Sequence, residues 1–385
     1  MSVTAASGFV AAGVAAGIKA SGRHDLALVV NTGPERVCAA VYTSNRFQAA
    51  PVLWSKGVTA SGVLDAVVLN SGGANACTGA AGLADARRTA ELVAAALGTD
   101  AGRVAVCSTG LIGVRLPMDA VAAGIGLAAA ALSPDGGPDA SRAIMTTDTV
   151  NKQAAAASPA GWTVGGMGKG AGMLAPALAT MLVVVTTDAV LTPAQADRAL
   201  RAATALTFDR ADSDGCMSTN DTVILMASGA SGVRADEEEF TERLTAVCGS
   251  LARQLLADAE GASHDIAVTV VDAATEADAL DVARCVARSN LFKCAVFGND
   301  PNWGRVLAAA GTSAAAFDPD AVSVSFNGVT VFRRGALGED RSLVDLRSSR
   351  AVDVTIDLAA GTASATIWTN DLTYDYVKEN AEYSS

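Results

Sequence analysis

Histidine is the residue that this sequence most nearly lacks, since only His24 and His264 occur among 385 residues. Each is followed by Asp at the start of an apparent strand, so a polar residue at a strand end is the expected role of both. A histidine-based catalytic triad or a histidine-rich metal site needs this residue beside the reacting group. We therefore expect no metal site, and a catalytic base other than histidine.

Paired cysteines are also missing. The seven cysteines contain no CxxC pair and lie far apart, at positions 38, 77, 107, 216, 248, 285 and 294. This spacing excludes the usual zinc sites and gives no disulfide framework. A reducing compartment, the cytoplasm, fits these cysteines.

Basic runs and long apolar runs are absent as well. A net charge of −12 without clustered Lys and Arg argues against binding to nucleic acid. No stretch reaches the roughly 18 to 20 apolar residues of a membrane helix. The apolar N-terminal stretch lacks a basic start and is broken by glycines, so it is not a typical signal peptide. The expected partners are small molecules rather than nucleic acid or a membrane.

Two familiar motifs, the phosphate-binding loop and the nucleophile elbow, are not matched by this sequence. The segment GMGKG has Thr163 where a phosphate-binding loop needs its first glycine, and Gly170 where it needs Ser or Thr. No GxSxG nucleophile elbow occurs. Nucleotide binding and serine-hydrolase chemistry are therefore not predicted from these motifs.

The residues that are present predict a mixed α/β protein with antiparallel hairpins. Half of them are hydrophobic but only 4% are aromatic, which indicates closely packed layers of small side chains. Two strands are expected around a turn at Gly33-Pro34, and a hairpin around Asn327-Gly328. The predicted strands are 25–31, 37–43, 65–70, 104–110 and 181–188, the hairpin spans 322–332, and the same alternating pattern recurs over 352–368 around Gly361. The predicted helices are 83–97, 193–207 and 236–259, and the predicted loops are 132–141 and 158–172.

One hydroxyl lies where a glycine-rich segment meets a hydrophobic run, at Thr180. A threonine can act as a nucleophile without histidine if its own α-amino group is the base. Such an amine titrates near 7.7 to 8 and exists only if the chain is cut after Ala179. The cut can be made by the chain itself, through attack of the Thr180 hydroxyl on the Ala179 carbonyl and hydrolysis of the resulting ester. The alternative is an ordinary threonine at the entry to a strand.

The segment KGAGMLAPALATMLVVVTTDA around this threonine resembles the self-cleavage segment of the ornithine acetyltransferase family, the glutamate N-acetyltransferases of arginine biosynthesis. The resemblance covers essentially the whole chain. Gly73 stands where the family often has Asn, and Asn151 where Pro is common, and neither touches the proposed chemistry. The other matching segments, in the family's order, are NSGGANACTG (70–79), STGLIG (108–113), IMTTDT (144–149), STNDTV (218–223), GNDPNWGR (298–305) and TNDLTYDYVKENAEYSS (369–385).

The resemblance implies layered sheets with flanking helices and a self-cleaving enzyme with an N-terminal threonine nucleophile. Cleavage between Ala179 and Thr180 would give an α chain of residues 1–179 and a β chain of residues 180–385, assembled as an α2β2 heterotetramer. Thr180 would carry acetyl from N-acetylornithine to glutamate, without metal or organic cofactor. Acetyl-CoA is a further donor in the bifunctional members, and the sequence leaves its use open.

The resemblance also assigns the remaining site residues. Thr109 and Gly110 match the oxyanion-hole pair, and their alternative role is an ordinary polar turn. The residues that match substrate-binding positions are Thr146, Lys169, Glu260, Asn380 and Ser385, whose alternatives are a local cap, a solvated loop lysine, a helix-end acid and a frayed terminus.

Two other functions remain open at this point. An N-terminal-nucleophile amidase or aminopeptidase would use the same self-cutting chemistry but pass the acyl group to water. A non-catalytic binding protein would keep the fold without needing Thr180.

Overall fold

A computed structural model describes residues 2–173 and 181–382. Ala179, Thr180 and Ser385 lie outside the described residues. The described chain divides into two compact units, the first built from residues 2–173, 181–209 and 217–255, and the second from residues 210–216 and 256–382.

Within its described residues, the first unit contains nine strands and six α-helices. The strands are β1 (Phe9–Val14), β2 (Leu26–Asn31), β3 (Val37–Tyr42), β4 (Ala66–Ser71), β5 (Val104–Thr109), β6 (Lys152–Ala157), β7 (Thr163–Lys169), β8 (Leu182–Thr187) and β9 (Thr222–Ala227). The helices are α1 (Ala50–Thr59), α2 (Gly79–Leu97), α3 (Met118–Ala130), α4 (Gly137–Ala143), α5 (Pro193–Leu206) and α6 (Glu237–Ala257).

Two sheets pack face to face in the middle of this unit. One has the strand order β1-β2-β4-β5 and the other β3-β9-β8-β7-β6. Side chains of both inner faces, such as Val29, Leu69, Val184 and Met226, form one buried core. Helices α2 and α3 cover the outer face of the first sheet, and α5 and α6 cover that of the second. The four layers explain why every residue of a strand such as β8 is buried, because both faces of the strand are covered.

The second unit is a single sheet with helices on it. Its strands are β10 (Asp265–Ala273), β11 (Ser323–Phe326), β12 (Val329–Arg333), β13 (Ala336–Leu337), β14 (Ala351–Asp357) and β15 (Ala363–Asn370), in the order β13-β12-β11-β14-β10-β15. Its helices are α7 (Glu276–Ala287), α8 (Asn290–Phe297), α9 (Trp303–Ala310) and α10 (Tyr374–Glu382). Residues of α7, α8 and α9 form the core with the sheet.

The predicted fold class, layered sheets with flanking helices, is confirmed. Helix α5 starts with a full capping box in which the Thr192 hydroxyl accepts a bond from Gln195 N, and its predicted range is confirmed. The hairpin of β11 and β12 turns through Asn327 and Gly328, whose φ angles of 46° and 84° suit a type I′ turn.

Two local predictions are wrong. The segment 158–172 was expected to be a loop, but it contains β7, a buried strand. A Cβ on Gly165 would lie 2.3 Å from the carbonyl oxygen of Ser2, so these glycines allow close packing rather than flexibility. The predicted loop 132–141 contains the start of α4. The two strands predicted around Gly33-Pro34 are confirmed as β2 and β3, which join different sheets.

Candidate active site

The predicted oxyanion pair lies at the carboxyl end of β5. Thr109 is the last residue of the strand, and its buried Oγ1 has no hydrogen-bond partner within the described ranges. Gly110 has φ of 130°, and a Cβ there would lie 2.6 Å from the nitrogen of Gly73. Only glycine fits this turn, and the threonine hydroxyl beside it is left available to an external acceptor.

The NSGG segment after β4 supports this turn from the adjacent strand. The Ser108 hydroxyl donates to Oδ1 of Asn70 at 2.6 Å, and the Asn70 amide donates to the carbonyl of Gly73 at 3.0 Å. β4 and β5 are parallel, with Ser71 opposite Thr109. The two strand ends therefore hold each other in register at the point where the predicted oxyanion donors emerge.

A buried charge cluster lies at the end of β7. The Nζ of Lys169 donates to Oγ1 of Thr146 at 2.7 Å and lies 3.7 Å from Oδ2 of Asp148. Lys152 forms a second ion pair with Asp148, at 2.6 Å. Burial by itself would raise the pKa of Asp148, but the ammonium groups of Lys169 and Lys152 outweigh it and hold that pKa well below its ordinary value. The alternative role of Lys169, that of a solvated lysine in a loop, is thus wrong, because this lysine is buried and held at the end of a strand.

These groups converge on the start of β8, which directly follows Met181. Leu182 is paired with Lys169 of β7 on one side and with Thr222 of β9 on the other. The amide of Asn220 donates to the carbonyl of Ser108 at 2.8 Å, which joins the start of β9 to the end of β5. The oxyanion turn, the buried lysine and the start of β8 therefore belong to one connected region of the first unit.

Two other predicted residues lie together in the second unit. The amide of Asn380, on α10, donates to Oε2 of Glu260 at 3.0 Å. Helix α6 ends at Ala257, so Glu260 follows the helix and is not part of its last turn. The helix dipole therefore does not explain an acidic residue at this position. Glu260 lines a cavity of about 130 Å³ together with Lys293 and Tyr376. Burial lowers the pKa of Lys293, whose Nζ donates to a backbone carbonyl.

The structure thus brings together Thr109, Gly110, Thr146 and Lys169 in the first unit, and Glu260 with Asn380 in the second. Sequence reasoning missed three supporting residues, Asp148, Asn220 and Asp221. Their only signal was their position inside the matching segments IMTTDT and STNDTV. Within residues 2–173 and 181–382 there is no group of three His, Cys, Asp or Glu side chains that could hold a metal ion. In the same ranges no helix has both the length and the apolar character needed to cross a membrane.

Comparison with known proteins identifies the relatives of this chain. The ArgJ family matches residues 10–385. The chain belongs to the ArgJ family. It is 64% identical to the arginine biosynthesis bifunctional protein ArgJ of Streptomyces coelicolor over 385 residues, and 62% identical to that of Thermobifida fusca over 385 residues, with 100% of every chain covered.

A solved relative of this ArgJ-family chain is the ornithine acetyltransferase of Mycobacterium tuberculosis complexed with ornithine. It is 57% identical, covers 47% of this chain and 96% of its own, and has a TM-score of 0.45. The family expected from the sequence is confirmed, and so is an acyltransferase of arginine biosynthesis as the class of enzyme. The non-catalytic alternative is wrong.

Proposed function

We propose that this ArgJ-family enzyme transfers acetyl from N2-acetylornithine to glutamate through an acetyl ester on Thr180. The Thr180 hydroxyl attacks the acetyl carbonyl, and its α-amino group takes the hydroxyl proton. Ornithine leaves with that proton, and the amine of glutamate then attacks the ester to give N-acetylglutamate. Ornithine and glutamate share an α-carboxylate and a similar chain length, so one pocket can accept both in turn. No metal or organic cofactor takes part.

The observation that carries this proposal is the unpartnered Thr109 hydroxyl in the region that meets the start of β8. A buried donor without a partner destabilises the fold. An acceptor that the reaction supplies would explain why the Thr109 hydroxyl is buried there. With Gly110 N–H it would stabilise the tetrahedral oxyanion. Lys169, held by Thr146, would bind the substrate α-carboxylate, and Glu260, Asn380 and Ser385 are proposed as further substrate-binding residues.

Self-cleavage between Ala179 and Thr180 is part of the proposal. It would give an α chain of residues 1–179 and a β chain of residues 180–385. The five-stranded sheet combines strands of both, since β7 precedes the cut and β8 follows it. Their six-residue antiparallel ladder runs from Val164–Thr187 to Lys169–Leu182, so the two fragments would stay joined after cleavage. Two such pairs would form the α2β2 heterotetramer.

The test combines intact mass with single-turnover chemistry. The wild-type protein should yield two fragments under denaturing conditions, and the second should gain one acetyl group on Thr180 when N-acetylornithine is given without glutamate. Thr180→Ala should remain uncut and inactive. A single uncut chain with full ornithine release would overturn the proposal.

The fate of the acetyl group separates the main alternative, an N-terminal-nucleophile amidase or aminopeptidase. In the transferase, glutamate takes the acetyl group and little acetate is formed. Acetate release that glutamate does not suppress would support the hydrolase instead. Giving acetyl-CoA in place of N-acetylornithine tests the second donor. All seven cysteines lie in the described ranges and none forms a disulfide there, which supports the cytoplasm as the working compartment.

A further inference from the structure

Asp221 is a fully buried carboxyl group at the start of β9 that the proposed mechanism does not use. Its Oδ1 accepts a hydrogen bond from the nitrogen of Met181 at 3.0 Å. Its Oδ2 is buried and has no hydrogen-bond partner within residues 2–173 and 181–382. The backbone is firmly held on both sides, since Thr43 N donates to the Asp221 carbonyl and Thr222 N to that of Met181. The position of this carboxyl is therefore set by the two strands.

The surroundings of Asp221 offer little compensation for a negative charge. Burial raises the pKa of the Asp221 carboxyl well above its ordinary value. The Met181 N–H, the nearby Ser218 hydroxyl and the Lys169 ammonium favour the ionised form, but together they do not offset burial. Ser218 makes no hydrogen bond of normal geometry to the carboxyl. The buried Oδ2 of Asp221 therefore lacks a hydrogen-bond partner within the described ranges. Burying a polar atom without a partner costs free energy.

Covalent geometry places a candidate partner close by. Met181 follows Thr180 in the sequence, so the nitrogen that cleavage would free belongs to the residue directly before the one whose N–H donates to Asp221. In an uncut chain that nitrogen is an uncharged amide. After cleavage it is an amine that can be protonated, and opposite charges within about 4 to 6 Å of each other shift each other's pKa by roughly 1 to 3 units.

We propose that Asp221 is a positioning residue whose Oδ2 pairs with the α-amino group that cleavage at Thr180 creates. This inference rests on the proposed self-cleavage. In the uncut chain the carboxyl is neutral. In the cut enzyme Asp221 is ionised, and its negative charge orients the amine towards the Thr180 hydroxyl and raises the pKa of the amine, making it a stronger base.

The test compares Asp221→Asn with a matched control, Asp188→Asn. Asn keeps the shape of Asp221 and the acceptor for Met181 N–H but removes the charge. Asp188 is a buried carboxylate at the opposite end of β8, where it accepts bonds from Ser7 N at 3.0 Å and Thr163 N at 2.7 Å. For cut enzyme of each variant, kcat/KM for N-acetylornithine is measured against pH. The acid limb should move down by about one pH unit or more in Asp221→Asn and stay in place in Asp188→Asn.

An unmoved acid limb in cut Asp221→Asn would overturn the inference while leaving the acetyl-Thr180 mechanism intact. An uncut wild-type protein would overturn the proposed function itself. If Asp221→Asn fails to fold or to cleave, infrared spectra of protein with ¹³C-labelled Asp carboxyls decide. The C=O band of a protonated carboxyl should be present in uncut Thr180→Ala at neutral pH and absent from the cut wild type. The same band in both samples would contradict the pairing.

Discussion

Lys169 at the end of β7 and Thr146 after α4 are joined by a 2.7 Å hydrogen bond from Nζ to Oγ1. The two residues are 23 positions apart in the chain, and neither belongs to the other's secondary structure. The bond fixes the direction of a buried ammonium group beside the start of β8. A substrate carboxylate that reaches this group would meet a charge whose orientation is already set.

Replacing this ammonium should weaken binding of both substrates. Lys169→Met removes a charged hydrogen bond to the substrate carboxylate, worth about 1.5 to 3 kcal/mol, so KM should rise roughly ten- to 150-fold for N-acetylornithine and for glutamate. Thr146→Val should raise both KM values less, because the lysine remains but loses its orienting acceptor. Steady-state kinetics check this, with Lys56→Met on α1 as the control. A change in KM for only one substrate would contradict a shared carboxylate site.

Removing the Thr109 hydroxyl should slow the reaction without weakening the fold. Thr109→Val keeps the shape and deletes a donor that has no partner within the described ranges. The expected loss in kcat is about 100- to 1000-fold, the usual cost of one oxyanion-hole donor, with Tm unchanged or raised. Thr109→Ser should restore most of the activity.

Thr186→Val is the matched control for this substitution. Its buried hydroxyl donates to the carbonyl of Val3 at 2.6 Å, so its removal should lower Tm and leave kcat near the wild-type value. A loss of Tm in Thr109→Val comparable with that in Thr186→Val would show that the Thr109 hydroxyl has a structural role.

A side chain at Gly110 should disturb the turn itself. Gly110→Ala would place a Cβ 2.6 Å from Gly73 N at a φ of 130°, so backbone strain of about 1 to 3 kcal/mol is expected together with loss of activity. Gly113→Ala is the control, since Gly113 also has a positive φ, 86°, but has open space around its Cβ position. Thermal unfolding and kcat of both variants distinguish a local clash from the cost of φ alone. Equal effects at the two positions would contradict the role of close packing at Gly110.

The Asp148 cluster should make stability depend on pH in acid. The folded-state pKa of Asp148 is depressed, so its contribution is fully present above the unfolded value of about 3.9 and is lost as pH falls through and below it. Asp148→Asn should be less stable at pH 7, because Lys152 and Lys169 lose their shared counter-charge, and its stability should change less between pH 5 and pH 2.

Urea unfolding at a series of pH values measures this dependence. Asp139→Asn is the control, because the exposed ion pair of Asp139 with Arg142 should contribute almost nothing. Parallel pH curves for the wild type and Asp148→Asn would contradict the assignment.

Local pattern was enough to predict many elements, whereas the residues of the candidate site were predicted from the family resemblance. Helix α5 was predicted from Thr192-Pro193, because a cap acts within one turn, and the hairpin from Asn327-Gly328, because two positive φ angles suffice to form it. Local pattern also made the prediction for β7 wrong, because its glycines led us to expect a loop. A glycine-rich segment resembles a loop until its neighbours are known, and Ser2 packs against Gly165 from the other end of the unit's sequence.

The sequence by itself determined the strands and helices of strong periodicity, the scarcity of histidine, and the threonine at which the proposed cleavage would release an amine. It also contains the segments that identify the family. Only the tertiary structure decided that β2 and β3 enter different sheets, that Lys169 is buried against Asp148, and that the start of β9 holds the end of β5 through Asn220. The physical reason is range, because propensities and caps act over a few residues, whereas the pairing of distant strands depends on which faces can be buried together.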